Sequence, residues 1–186
     1  MLGAPGGPRR VGVVGLGAGT LAAYGRRGDD YRFFELDPAV ERLARGWFTF
    51  LADSPARITV VIGDGRRSLA ADPTRFDVLV LDAFSSDAVP AHLLTAEAFA
   101  LYAERLTPGG MVRAATARLD WEMLTIESDP DEDERVWVES ARWLLAGPDR
   151  RRFLDPRLRA AASPPSFPPR AVLWTDDRAD LLGVVK

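Results

Sequence analysis

The chain is predicted to fold as a single α/β domain, a doubly wound Rossmann-like sheet. Three features predict it. A β-branched run breaks into glycines in VGVVGLGAGT, residues 11–20. Short apolar runs alternate with helix-length segments through the first two thirds of the chain. Acids follow one apolar run after another, at Glu35, Asp64 and Asp82. Alternation of strand and helix gives parallel sheets, and such sheets take ligands at the carboxyl ends of their strands.

Val11, Val13 and Val14 carry no charge and read as a strand buried on both faces. Gly15, Gly17 and Gly19 follow at once. A strand that turns sharply while its backbone approaches a ligand needs residues without a Cβ. A helix is expected to open near Thr20, with free N–H groups facing the ligand. A second strand, Tyr31 to Leu36, carries Glu35, 20 residues beyond Gly15. That is about the spacing at which an acid meets ribose hydroxyls. The dinucleotide fingerprint wants its third glycine where Thr20 stands. The spacing therefore suits a nucleoside without a pyrophosphate, such as S-adenosylmethionine or a relative, better than a dinucleotide.

Asp37 can cap a helix whose first residue is Pro38. Val40, Leu43, Ala44 and Trp47 fall at helical spacing on one face, and Phe48, Phe50 and Leu51 continue the expected core. Residues 58–62 (ITVVI) make a third strand, ending in Gly63-Asp64-Gly65; a short helix follows over Arg66 to Ala71. Phe76 to Leu81 is a fourth strand, ending in Asp82 and the polar loop AFSSDAVP. Thr95 is the expected N-cap of a helix through Leu106, with Phe99, Tyr102, Ala103 and Leu106 facing inward. Thr107-Pro108-Gly109-Gly110 stops it, and a fifth strand begins at Met111.

Beyond that the signal weakens. Leu124 to Glu127 reads as a strand, and residues 128–134 (SDPDEDE) as a solvated acidic loop. Residues 135–146 fit either a helix or, around Trp143-Leu144-Leu145, an edge strand. The prolines of residues 163–169 forbid a regular element. Residues 171–174 and 182–185 read as short final elements.

Bulk composition excludes several chemistries. The 186 residues suit one domain, with residues 1–10 as a flexible lead-in and 11–186 as the nucleoside-binding body. Net charge is −3, so no basic footprint points to nucleic acid. There are no cysteines, which removes disulfides, thiolate metal sites and a cysteine nucleophile; one histidine, His92, cannot make a two-histidine metal site. No apolar run approaches a membrane span, and residues 1–10 lack the apolar core of a signal peptide. A cytoplasmic protein without a membrane or nucleic-acid partner is expected. His92 is expected to pack or make a local hydrogen bond.

One acid at a strand end is commonplace as a helix cap or turn former. Acids after three successive strands, beside a glycine turn, fit a ligand crevice better. VGVVGLGAGTLAAYG, FFELDP, VIGDGR, VLVLDAFSSDAVPAHLLT and the late WTDD resemble the spermidine synthases, the polyamine aminopropyltransferases, and in particular bacterial spermidine-synthase-like proteins. The likeness is strong over residues 10–112 and weaker over 124–186. It implies the sheet of the S-adenosylmethionine-dependent methyltransferases, shortened in its second half. It also implies transfer of an aminopropyl group from decarboxylated S-adenosylmethionine to a diamine such as putrescine, without a metal.

By the same resemblance, Gly15, Gly17 and Gly19 line the nucleoside and Glu35 holds the ribose. Asp64 faces the adenine amino group, with Gly65 beside it. Asp82 serves the attacking amine, and Asp87 falls near a second acid of that loop. A sulfonium donor is already activated, so the enzyme need only position an amine and hold it unprotonated.

The chain departs from that family in three places. Ala18 stands where spermidine synthases carry an acid between the second and third glycines. Their N-terminal β-rich region, which covers the amine site and helps form dimers, is expected to be missing, which leaves a homodimer open. The stretch from Gly110 to Leu124 is short for a full strand and helix. A methyltransferase using intact S-adenosylmethionine, or a non-catalytic nucleoside-binding remnant, are the alternatives.

Overall fold

A computed structural model of the chain describes residues 7–83, 90–113, 122–128, 141–147, 150–164 and 176. Asp87, residues 129–140, residues 165–175 and residues 182–185 lie outside the described residues. So do the expected acidic loop after Ser128, most of the proline-rich stretch and the two final elements.

The glycine-flanked strand forms as β1 (Arg10–Val14), followed by β2 (Asp30–Glu35), α1 (Pro38–Trp47), a short α2 (Phe50–Asp53) and β3 (Arg57–Ile62). Next come α3 (Gly65–Ala71), β4 (Phe76–Leu81), α4 (Ala96–Arg105) and β5 (Leu106–Arg113). β6 (Glu122–Ser128), β7 (Ala141–Gly147) and α5 (Pro156–Ala161) complete the described elements. The seven strands lie in the order β3-β2-β1-β4-β5-β7-β6. The first five are parallel; β7 is antiparallel to both β5 and β6.

Period-two alternation sends the apolar strand residues to both faces. Val13 and Phe33 pack with Ala44 and Leu51 beneath α1 and α2. Val14, Phe34 and Leu79 pack on the other face with Leu69 of α3 and Phe99 and Tyr102 of α4. These are the two layers of a doubly wound sheet. Caps fix the helix starts: Ala39 N–H donates to Asp37 Oδ1 at 2.7 Å and Ala98 N–H to Thr95 Oγ1 at 3.2 Å.

Several expectations are corrected. Of the apolar face read for α1, Ala44 is buried and Val40 half-buried, but Leu43 and Trp47 are exposed, Trp47 at 81%. Ten residues of α1 cover only part of β1 and β2, so the helical spacing overstates the buried stripe. Phe48 is likewise exposed and stacks on half-buried Phe50; Leu51 alone of the three is buried. On α4, Ala103 faces outward while Ala98 takes a core place.

No α-helix follows Gly19. The chain makes one 3-10 turn, Thr20–Tyr24. β5 begins at Leu106 rather than Met111. Phe76 pairs with Leu106 and Val78 with Met111, so two steps on β4 face five on β5. The Thr107-Pro108-Gly109-Gly110 stretch is therefore absorbed as a bulge inside the strand. Residues 141–147 form a strand, and it sits between β5 and β6, leaving β6 at the edge.

Candidate functional site at the carboxyl rim

Register brings the expected site to one rim. Val14 lies level with Phe34 and with Leu81, and Glu35 with Ile62. Residues just past these points therefore emerge side by side across four adjacent strands, over about 14 Å at the usual strand spacing. Ile62, Glu35, Gly15 and Asp82 occupy that line, with Leu36 and Gly63 one residue beyond it.

The glycine turn is shaped by contact. Gly15 has a φ of +99°, and a Cβ there would stand 2.4 Å from the Asp82 carbonyl oxygen. Its N–H donates to Phe34 O at 2.8 Å, while Asp82 N–H donates to Val14 O at 2.8 Å. Gly17, at φ +53°, faces open space among the described residues. Gly19 lies against the Leu51 side chain. Because a five-residue 3-10 turn follows, the strong N-terminal field of a long helix is not available here.

Glu35 is buried, and both its oxygens accept backbone hydrogen bonds. Leu16 N–H donates to Oε2 at 3.0 Å and Asp37 N–H to Oε1 at 2.9 Å. The carboxylate thus links the glycine turn to the start of α1. Each oxygen keeps a lone pair for a further donor. Leu36, immediately after it, is 71% exposed, and Ile62 at the end of β3 is also exposed. Exposed apolar side chains beside a buried acid suit a flat, partly apolar ligand. The β-pattern of FFELD held that signal, since an apolar residue past the buried part of a strand has no core to enter.

Asp64 caps α3. Arg67 N–H donates to its Oδ1 at 2.8 Å. Its Oδ2 lies 3.7 Å from His92 Nε2. Gly65 is pressed against Val14, where a Cβ would come within 2.6 Å of Cγ1. His92 is exposed, so it has a local polar partner rather than a packing role.

A hollow of about 500 Å³ opens beside Asp64, lined also by Arg66, Arg67, Ala70, His92 and Leu101. It shares Asp64 with the rim, but Gly15, Glu35 and Asp82 do not line it. The three acids leave β2, β3 and β4 at one rim, with β1 between β2 and β4, and do not border this hollow together. Asp87 lies outside the described residues.

One cluster near the rim was not anticipated. Arg66 holds Asp176 through two hydrogen bonds of 2.7 Å, and the Thr95 hydroxyl donates to the same carboxylate at 2.7 Å. The Arg66 hydrogen bonds, then that of Thr95, hold the Asp176 carboxyl down to about 2. Arginine directly after the GDG turn and the acids of WTDD were its only traces in sequence. Among the described residues no group of three or more His, Asp or Glu could hold a metal ion. No helix there is long and apolar enough to cross a membrane.

Comparison with known proteins gives the rim a context. No family model matches the chain. A probable polyamine aminopropyl transferase of Bifidobacterium longum is 33% identical over 106 residues, covering 54% of this chain and 22% of that protein. A polyamine aminopropyltransferase of Vibrio vulnificus is 28% identical over 117 residues, 59% of this chain and 38% of that one.

The chain is similar to the spermidine synthases.

It spans well under half the length of these two relatives. An N-terminal histidine N-methyltransferase of Emericella nidulans is 35% identical over 91 residues, 46% of this chain and 16% of that protein. Among solved structures, spermidine synthase from Thermotoga maritima superposes with a TM-score of 0.57 at 18% identity, over 92% of this chain and 64% of that one. Human methyltransferase-like protein 13, in complex with SAH, gives 0.56 at 19%, over 89% and 87%. At these identities the two structures establish the fold. It is the parallel, helix-flanked sheet common to spermidine synthases and methyltransferases.

Proposed function

We propose that the chain is a spermidine-synthase-like transferase that moves an aminopropyl group from decarboxylated S-adenosylmethionine to a diamine such as putrescine. The observation that carries this reading is the Glu35 carboxylate, fixed by Leu16 N–H and Asp37 N–H beside the positive-φ turn of Gly15, Gly17 and Gly19. A buried acid with spare lone pairs next to an open glycine turn suits paired ribose hydroxyls. The likeness to aminopropyltransferases supports the donor and acceptor classes.

In this reading Gly15, Gly17 and Gly19 line the nucleoside and Glu35 takes the ribose. Leu36 gives the adenine an apolar face. Oδ2 of Asp64, which His92 approaches only at 3.7 Å, accepts from the adenine amino group, with Gly65 keeping α3 close to β1. The acceptor amine attacks the carbon next to the sulfonium. The carbon–sulfur bond breaks, and its electron pair stays on sulfur as a neutral thioether. The new ammonium gives its proton to Asp82, and Asp87 holds the far ammonium of the diamine. In-line positioning and removal of one proton are the whole demand on the protein. The amine is a small molecule; neither nucleic acid nor a membrane is needed.

A second reading has a specific observation behind it. Ala18 offers no carboxylate between Gly17 and Gly19, and a histidine N-methyltransferase is among the relatives. That favours intact S-adenosylmethionine and methyl transfer. Calorimetry with decarboxylated S-adenosylmethionine, S-adenosylmethionine and methylthioadenosine separates the two. We expect the decarboxylated donor to bind at least tenfold more tightly than the intact one. The reverse preference would favour methyl transfer, and no binding of any of the three would overturn both.

A further inference from the structure

We propose that the layer made by the Thr20–Tyr24 turn, α1 and α2 is a docking surface for an anionic lipid membrane. Leu43, Trp47 and Phe48 would enter the headgroup region, and Arg26, Arg27 and Arg42 would meet the lipid phosphates. The surface is separate from the nucleoside rim, and the proposal goes beyond the transfer reaction.

Seven large apolar side chains are exposed among the described residues. Leu36 and Ile62 stand at the rim, and Leu154 follows β7. The other four, Tyr24, Leu43, Trp47 and Phe48, belong to elements over one face of the sheet. That layer is thin: a five-residue 3-10 turn, ten residues of α1 and four of α2. It is also continuous. Ser54 Oγ donates to Ala22 O at 2.7 Å, and the rings of Phe48 and Phe50 stack with centres 6.1 Å apart. Leu43 and Trp47 lie one turn apart on α1, beside the buried Ala44. Exposed apolar side chains gathered on one surface mark an interaction site, whereas scattered ones do not.

Arginines border this surface. Arg42 precedes Leu43 on α1, and Arg26 and Arg27 follow Tyr24 by two and three residues. All three are exposed, and none has a side-chain hydrogen bond or ion pair among the described residues. Most acids here are already engaged. Asp29 is buried and accepts Arg9 N–H at 2.9 Å and Arg26 N–H at 3.1 Å. Asp30 pairs with Arg57 and Glu41 with Arg45, which leaves Asp53 exposed on α2.

This combination selects the occupant. A second copy on a two-fold axis would bring the arginines of both chains into one interface, like charge against like. A single strand of nucleic acid stacks its bases on aromatic faces, but Leu43 is aliphatic and as exposed as Tyr24. A membrane surface uses every side chain present. Aliphatic carbons enter the acyl boundary, Trp and Tyr seat at headgroup level, and arginines meet anionic headgroups. α1 starts beside Glu35 and ends at Trp47, about 15 Å away at the usual helical rise, so the contact falls away from the rim. This departs from the expectation that composition gives. The net charge of −3 averages this corner with the rim acids, and a layer seated on the surface needs no spanning helix.

The test is co-sedimentation of the full chain with vesicles of phosphatidylcholine, alone or mixed with phosphatidylglycerol. We expect binding to the mixed vesicles to be at least about tenfold tighter than to the neutral ones. Trp47→Gln should weaken it by about tenfold or more. Arg26→Gln with Arg27→Gln should do the same on mixed vesicles only, since each arginine near an anionic surface contributes about fivefold. High salt should remove the difference between the two vesicle types but leave the effect of Trp47→Gln. Leu154→Ser takes away an exposed apolar side chain elsewhere and should change nothing. Should Trp47→Gln fail to fold, Leu43→Ser carries the same expectation. No binding to the mixed vesicles, equal binding to both types, or variants that bind like the wild type would overturn the proposal. So would a single-stranded oligonucleotide that binds more tightly than the vesicles, or a lipid-free dimer that Trp47→Gln dissociates. Each of these failures leaves the nucleoside reading standing.

Discussion

The carbonyl oxygen of Asp82 fills the place where a Cβ on residue 15 would be, at 2.4 Å. Gly15 also holds φ at +99°. An alanine there would meet backbone rather than a yielding side chain, in a conformation that L residues avoid. Gly15→Ala should therefore destabilise the fold by about 2–4 kcal/mol. Urea unfolding checks this, and a loss under about 1 kcal/mol would mean that the two strand ends can part at little cost.

Glu35 carries two separable expectations. Glu35→Ala leaves Leu16 N–H and Asp37 N–H without their acceptor, which should cost about 1–3 kcal/mol of stability. The same change should weaken methylthioadenosine binding more than tenfold, or at least about 1.4 kcal/mol. Glu35→Gln keeps one acceptor oxygen, so it should recover part of the stability and little of the affinity. Loss of stability with unchanged affinity would make Glu35 a structural link only.

At Asp82 the expected result is a split between binding and turnover. Asp82→Asn should abolish aminopropyl transfer, read as release of methylthioadenosine, while nucleoside affinity stays within about threefold, or about 0.7 kcal/mol. Retained turnover would remove Asp82 from proton acceptance.

The Arg66–Asp176 pair has a defined pH signature. Its hydrogen bonds hold the carboxyl down to about 2, below the ordinary carboxylate value. A lowered pKa contributes stability above the unfolded value and loses it as pH falls through the folded one. The stability difference between wild type and Asp176→Asn should thus be flat from pH 5 to pH 8 and shrink only on acidification towards about 2. Equilibrium unfolding across that range checks it; a difference that changes near neutrality would overturn the assignment to Asp176.

Trp47 and Phe99 should respond in opposite ways. Trp47 is 81% exposed and Phe99 is buried among Leu69, Leu79 and Tyr102. Trp47→Gln should change stability by no more than about 0.5 kcal/mol. Phe99→Ala should cost about 3–5 kcal/mol. Thermal melting of the two variants gives the comparison directly.

Local chemistry determined much of this molecule from sequence. The valines before Gly15, the caps at Asp37 and Thr95, and the acids after successive apolar runs each depend on near neighbours, so strands, helix starts and rim acids were legible. Contacts between distant segments were not. How much of α1 meets the sheet decided that Leu43 and Trp47 stay outside. Pairing with β4 turned Thr107-Pro108-Gly109-Gly110 into a bulge, and placed residues 141–147 between β5 and β6. Nothing near Arg66 in the chain announces Asp176, 110 residues on. Spacing records which face a side chain can take, but only the packed sheet decides what stands opposite it.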